Sequence, residues 1–274
     1  TYNKNTFNLD LNGKTLTITD TKQFIVGGAV TITDTAGNGK IVAAKNSNFA
    51  GGLIVVRATE TDNETAITYT NNLCTIENVT IDATNNSNKN ACAVKMYNGG
   101  KVYVNKGAVI KANGYAISGS TSDHFFQGQL VISGGEITSL ESYAIYHPQY
   151  ISTTKGGIFE INDGSIITGA IGAIKMGGTT PSSASSTTNQ LLTIKGGTLI
   201  SGGDHVIYID VTNNTTKTEH EAQVKVYGGE FTIANKTKEG SFIKVYFGTK
   251  GTLRSCFLEG GKYNNISKTD FVVK

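Results

Sequence analysis

Apolar residues recur along this chain in a phrase of fixed length. One apolar residue is followed by four residues rich in Gly and Asn, and a second apolar residue stands five positions after the first. The phrase occurs at Leu11–Leu16, Ile76–Ile81, Val104–Val109, Ile132–Ile137, Ile161–Ile166, Ile194–Leu199, Val226–Phe231 and Leu258–Tyr263. A ninth copy, Ile32–Ile41, is four residues longer. From Ile76 onward the starts advance by 28, 28, 29, 33, 32 and 32 residues. Self-similarity at a near-constant period is the mark of a solenoid.

Each repeat holds a third apolar segment, here named the leading strand. The copies are Ala93–Met96, Ala116–Ser118, Ala144–His147, Ala173–Met176, Val206–Ile209 and Ile243–Tyr246. A middle strand ends on the first residue of each Gly phrase, and a trailing strand begins on its last. The segments are short, alternate with period two and favour β-branched residues, which is the pattern of strands. No window offers helical spacing with caps. Three short strands in about 30 residues describe one coil of a parallel β-helix. The prediction is an all-β fold: a single solenoid domain over residues 1–274, with about nine coils. At about 4.8 Å per coil the rod is roughly 40 Å long. Residues 1–8 are expected to cap its start. Phe271-Val272-Val273 reads as a last leading strand, so the other end is expected to continue or to be covered by a partner.

The opening Leu9-Asp10-Leu11-Asn12-Gly13-Lys14-Thr15-Leu16, followed by Val30-Thr31-Ile32-Thr33-Asp34, resembles the right-handed parallel β-helix repeats of the pectate-lyase-like superfamily. It is similar to such repeats in bacterial surface, adhesin-like proteins and in phage tail or fibre proteins. The resemblance covers about residues 9–273. It implies the fold strongly and the activity weakly, because the shared residues are those that build coils.

Composition narrows the function classes. The chain has 33 Gly, 37 Thr and 25 Asn in 274 residues, with only 16% charged residues and a net charge of +3. Arg57 and Arg254 are its two arginines, and no basic cluster with stacking aromatics suggests a nucleic-acid partner. No apolar run approaches the length of about 18 residues needed to span a membrane. The chain starts Thr-Tyr-Asn without Met or a signal sequence, so a mature or trimmed chain is expected. Low charge with abundant Thr and Asn suits an extracellular, bacterial cell-surface or virion-surface protein.

Candidate chemistry is sparse. An inward column runs two positions before each phrase: Cys74, Val102, Leu130, Phe159, Leu192, Val224 and Cys256. The two cysteines in it read as core residues, six coils apart and beyond disulfide reach. Cys92 begins a leading strand. With no CxxC and no paired His motif, neither a zinc site nor any other metal or cofactor is expected. His147 and His205 read as corner residues, while His124 and His220 read as loop residues. The calcium-binding carboxylate cluster and the Asn-Thr-Asp, Asp-Asp, Gly-His-Gly and Arg-Ile-Lys motifs of superfamily enzymes do not occur; Gly203-Asp204-His205 is the nearest fragment. Glu136 and Glu230 share a column but lie three coils apart, about 14 Å, too far for a glycosidase pair. No catalytic residue is assigned.

The outward column of the leading strand is Lys95, Ser118, Tyr146, Lys175, Tyr208 and Lys244. Tyrosine rings offer flat faces to sugars, and lysine can pair with an acidic one. The expected ligand-binding residues are Tyr146, Lys175, Tyr208 and Lys244; the alternative is a Lys–Tyr ladder that only stabilises the stack. Connections at 57–72, 119–129, 177–190 and 211–222 border this column. The function expected is a non-catalytic module that binds a polysaccharide or a host-surface glycan. The alternatives are a lyase or hydrolase with a loop-built site, and a purely structural spacer. Homo-oligomerisation is expected if the chain comes from a phage fibre, as a trimer.

Overall fold

The computed structural model describes residues 6–19, 23–57, 59–62, 65–68, 72–97, 99–119, 128–147, 158–177, 190–211, 220–235, 237, 240–247 and 253–269. Its strands form three parallel sheets of nine, nine and eight strands, in which each strand pairs with its equivalents in the coils before and after. The middle sheet runs from Phe7–Asp10 to Leu253–Leu258, the trailing sheet from Thr15–Ile18 to Lys262–Asn264, and the leading sheet from Phe24–Val26 to Ser241–Phe247. The described residues contain no helix. The protein is a parallel β-helix of about nine coils.

The inward columns stack as the alternation requires. Cys74, Val102, Leu130, Phe159, Leu192 and Val224 are all buried and succeed one another in register. The backbone of Cys256 continues the row beside Val224; its side chain lies outside the described residues. In the leading sheet the row is Ile54, Val94, Ile117, Ile145, Ile174, Ile207 and Ile243. Each such side chain contributes about 1.5–3 kcal/mol on burial.

The turns explain the Gly and Asn content. Asn12 and Asn78 take φ of 46° and 51°, in the left-handed region that Asn tolerates. Gly134, Gly229 and Gly261 sit at φ of 114–122°, which only glycine adopts readily. At the next corner, asparagine amides tie successive coils. Asn86 Nδ2 donates to Phe49 O at 3.0 Å, and Asn113 Nδ2 donates to Thr84 O at 2.8 Å and Asn86 O at 3.2 Å. These bonds satisfy corner carbonyls that no strand reaches.

Two phrases depart from the five-residue rule. Ile81 pairs with Ile110 and Ile137 with Ile167, so Val109 and Ile166 face outward instead of opening the inward row. In both copies the turn holds one more residue, and buried Ala108 or Ser165 stands just before the outward Val109 or Ile166. A one-residue slip reverses the face of a strand residue, which is why Ile166 is exposed. Three boundaries also differ from expectation. Phe7–Asp10 is already a strand of the first coil, paired with Ala29–Thr33. The insertion at 57–72 carries an antiparallel hairpin, Thr59–Asp62 with Thr65–Thr68. His220 begins a strand that runs to Val226. Residues 1–5, His124, the Ser/Thr-rich stretch 179–188 and Phe271–Val273 lie outside the described residues.

Candidate functional site

The outward column of the leading sheet is continuous. Lys95, Ser118, Tyr146, Lys175, Tyr208 and Lys244 are register partners on six successive coils. Ser118 is covered: its Oγ accepts from Lys95 Nζ at 3.1 Å and donates to Gly119 O at 2.7 Å. From Tyr146 onward the column is half-buried and open to solvent. Lys175 Nζ lies between two rings, 5.7 Å from the centroid of Tyr146 and 5.8 Å from that of Tyr208. These are cation–π distances.

The column has neighbours that parity alone does not reveal. Tyr115 stacks on Tyr146 with centroids 4.8 Å apart, and Tyr143 lies over Tyr208 at 6.1 Å. Tyr143 has the parity of an inward residue but stands at the corner, where the chain turns its side chain onto the outer face. Its ring passes over Gly172 on the next coil, where a Cβ would come within 2.7 Å of it. Glycine there lets the tyrosine span two coils, and its hydroxyl reaches His205 Nε2 at 2.9 Å.

Asp204, His205 and Tyr143 form a hydrogen-bonded chain. His205 Nδ1 is 2.6 Å from Asp204 Oδ1, and Asp204 Oδ2 accepts from Lys244 Nζ at 3.0 Å. Burial pushes the His205 pKa below its ordinary 6.5, against the opposing pull of Asp204. A neutral imidazole that donates from Nδ1 accepts at Nε2, so Tyr143 is the donor there. Burial holds the proton on Tyr143 and raises Tyr146 to about 12. The hydrogen bonds from His205 and Lys244 hold Asp204 down at about 2. The second lysine, Lys175, pairs with Asp210 Oδ2 at 3.2 Å.

The fragment around Asp204 therefore has partners, Tyr143 and Lys244, which its sequence neighbourhood does not show. Asp210 follows Tyr208 by two residues on the same outward parity, so alternation alone could have found it. Tyr115 and Tyr143 carried no such signal. His147, expected at a corner, is buried and stacks on Phe159 at 3.9 Å.

Other places offer less chemistry. Cys74 and Cys92 are buried, and desolvation raises both thiols to about 12, far from a nucleophilic thiolate. Glu136 and Glu230 are separated through Ile166 and Thr198 by three coils. Among the described residues no three His, Cys, Asp or Glu converge as a metal site. A hollow of about 660 Å³ opens on the last coil, lined by Phe242, Leu258, Tyr263 and Ile266. It lies at the last described coil, and Glu259, Ser267, Lys268 and Thr269 complete its lining beside these apolar residues.

Acid should loosen the Asp204–His205 chain. An unfolded His205 takes up a proton near pH 6.5, whereas the folded one takes it up only at lower pH. Its contribution is present above about 6.5 and is lost as pH falls through the lower folded value. Asp204 acts in the same direction, with a contribution present above 3.8 and lost towards 2. Its side chain is 38% exposed, so solvent screening reduces the nominal effect to about 1 kcal/mol. The melting-temperature gap between the wild type and Asp204→Asn is expected to narrow between pH 5 and about pH 2. A constant gap would mean that the ionised carboxylate contributes nothing.

No protein-family model, curated protein or solved structure matches this chain.

Proposed function

We propose that this chain is a non-catalytic, glycan-binding β-helix module of a secreted, cell-surface or virion protein, and that Tyr146, Lys175, Tyr208 and Lys244 form its ligand face. The observation that carries the reading is the row itself. It places one chemically distinct side chain per coil at about 4.8 Å intervals, so Tyr146 to Tyr208 spans about 10 Å, the length of roughly two sugar residues. Aromatic faces and charged hydrogen-bonding groups alternate along it on rigid strands. The resemblance to right-handed repeats of the pectate-lyase-like superfamily, and to adhesin-like and phage tail proteins, points the same way. An open face of this kind predicts millimolar to micromolar affinity.

The rival reading is a polysaccharide lyase or glycoside hydrolase, and the Asp204–His205–Tyr143 chain is the observation in its favour. Against it, burial holds the proton on Tyr143, and the relay ends on a ring that packs beside Tyr208. The relay serves better to orient that ring than to transfer a proton. Titration calorimetry with a polysaccharide panel, followed at 235 nm and by reducing ends, separates the two. Binding without turnover is expected. Tyr146→Ala with Tyr208→Ala should weaken it more than about 30-fold, because ring stacking supplies much of the affinity on an open face. Unlike a change at a fully exposed site, this pair also costs stability, about 1–2 kcal/mol in all, because Tyr146 stacks on Tyr115 and Tyr208 packs beside Tyr143. Turnover abolished by a single carboxylate substitution would establish the enzyme instead.

A further inference from the structure

We infer that the glycan taken by this face is uncharged, a polyhydroxylated neutral sugar rather than a uronate or a sulfated one. The inference rests on the glycan-binding reading above and adds its chemical class. It comes from counting and pairing the charges. Among the described residues, the leading-sheet strands from Tyr146 to Tyr246, with the corner residue Asp204 before His205, carry two ammonium groups, Lys175 and Lys244, and two carboxylates, Asp204 and Asp210. Each lysine has its own carboxylate, at 3.2 Å for Lys175 with Asp210 and 3.0 Å for Lys244 with Asp204. These described charges balance, and each lysine already holds an anion.

A sugar carboxylate or sulfate approaching Lys175 would meet Asp210 at the same place. It would have to displace that carboxylate or lie beside it, and like charges in a partly desolvated site repel. A hydroxyl group has no such conflict. It donates to an aspartate oxygen while accepting from the neighbouring ammonium, so one hydroxyl, or two on adjacent carbons, can bridge a Lys–Asp pair with both charges still satisfied. Lys175 and Asp210 are 23% and 22% exposed, enough to be touched from solvent and too little to swing away. The rings of Tyr146 and Tyr208, a coil to either side of Lys175, offer flat apolar surface to the C–H face of a pyranose. The second pair, Lys244 with Asp204, repeats the arrangement one coil beyond Tyr208.

The test compares dextran, mannan and galactan with polygalacturonate, alginate and heparin by isothermal titration calorimetry, using the full chain. The expected result is binding to at least one neutral polymer and to none of the acidic ones. Its affinity should change less than about twofold between low and high salt, since no net charge is neutralised on binding. Asp210→Asn keeps the shape of the side chain and releases Lys175 from its anion. This variant should bind the neutral polymer at least about tenfold more weakly and acquire binding to polygalacturonate. Wild-type binding to an acidic polymer that is lost in the Tyr146→Ala, Tyr208→Ala variant would overturn the neutral-sugar inference and leave the ladder as the glycan site. Neutral binding that survives the double variant, or no binding across the panel, would overturn both.

Discussion

Gly169→Ala should lower the melting temperature by roughly 6–12 °C. A Cβ built on Gly169 would lie 1.9 Å from the carbonyl oxygen of Gly172 and 2.9 Å from the amide nitrogen of Ala144. Both neighbours are backbone, one three residues on and the other on the preceding coil, so no side chain can rotate away. The equivalent positions on adjacent coils are Ser139 and Ser201. There the corner leaves room for a hydroxyl, which donates to Gly114 O at 2.6 Å from Ser139 and to Ile171 O at 3.2 Å from Ser201. At Gly169 the Gly172 carbonyl fills that place. Relief requires a shift of the corner that leads into the Gly172–Gly177 strand bearing Lys175. Overpacking of this kind costs about 3 kcal/mol or more, which gives the stated shift for a chain of this size. Ser139→Ala, which removes the hydroxyl that donates to Gly114 O and accepts from Ser142 N but adds no atom, should cost about 1–2 kcal/mol. Thermal unfolding followed by circular dichroism compares the two, and a Gly169→Ala melt equal to that of Ser139→Ala would show that the corner has space the structure does not give it.

Phe231→Ala has an effect of similar size but a different reach. Phe231 is fully buried, with Phe242 at 4.5 Å and Tyr263 at 5.1 Å between ring centroids. Removing it costs the transfer energy of the ring and leaves a cavity, about 3–5 kcal/mol together. It belongs to the last described coils. In a solenoid each coil is held only by its neighbours, so a deficit near one end is relieved by releasing the terminal coils alone. Hydrogen exchange is expected to show lost protection from about Val224 to Asn264, with protection retained in the strands between Leu73 and Ser139. Uniform loss along the rod would mean that the coils unfold as one cooperative unit.

These two sites differ in how far the sequence discloses them. Phe231 closes a phrase that any reader of the apolar pattern assigns to the core, and the inward columns follow from period two and a repeat length. The ladder followed from the same parity, because Ile145, Ile174 and Ile207 must face inward and the next residue therefore faces out. Gly169 carries no such mark. Its constraint is set by how two corners approach one another, and a periodic pattern records strands, not corners. The same gap hid Tyr143 and Tyr115, whose parity is that of core residues until the chain bends. It also hid the extra turn residue before Ile110 and Ile167, since an apolar residue stands at both the expected and the actual position. The partnership of Asp204 with Tyr143 joins residues about two repeats apart through the width of a missing side chain at Gly172, and no local motif encodes that.

The row from Tyr146 to Lys244 takes one residue from each coil, and its spacing is imposed by backbone pairing rather than by the side chains themselves. Recognition length and recognition chemistry are therefore separable in this molecule. Duplication of a single coil of about 30 residues would lengthen the row by one position without moving the others, because each coil contacts only its neighbours. Substitution within the row would change what is recognised while the interval stays at about 4.8 Å. A lineage carrying this architecture could thus follow a lengthening or branching polymer by copying and editing repeats, and relatives should differ in whole coils more readily than in the distance between contact residues.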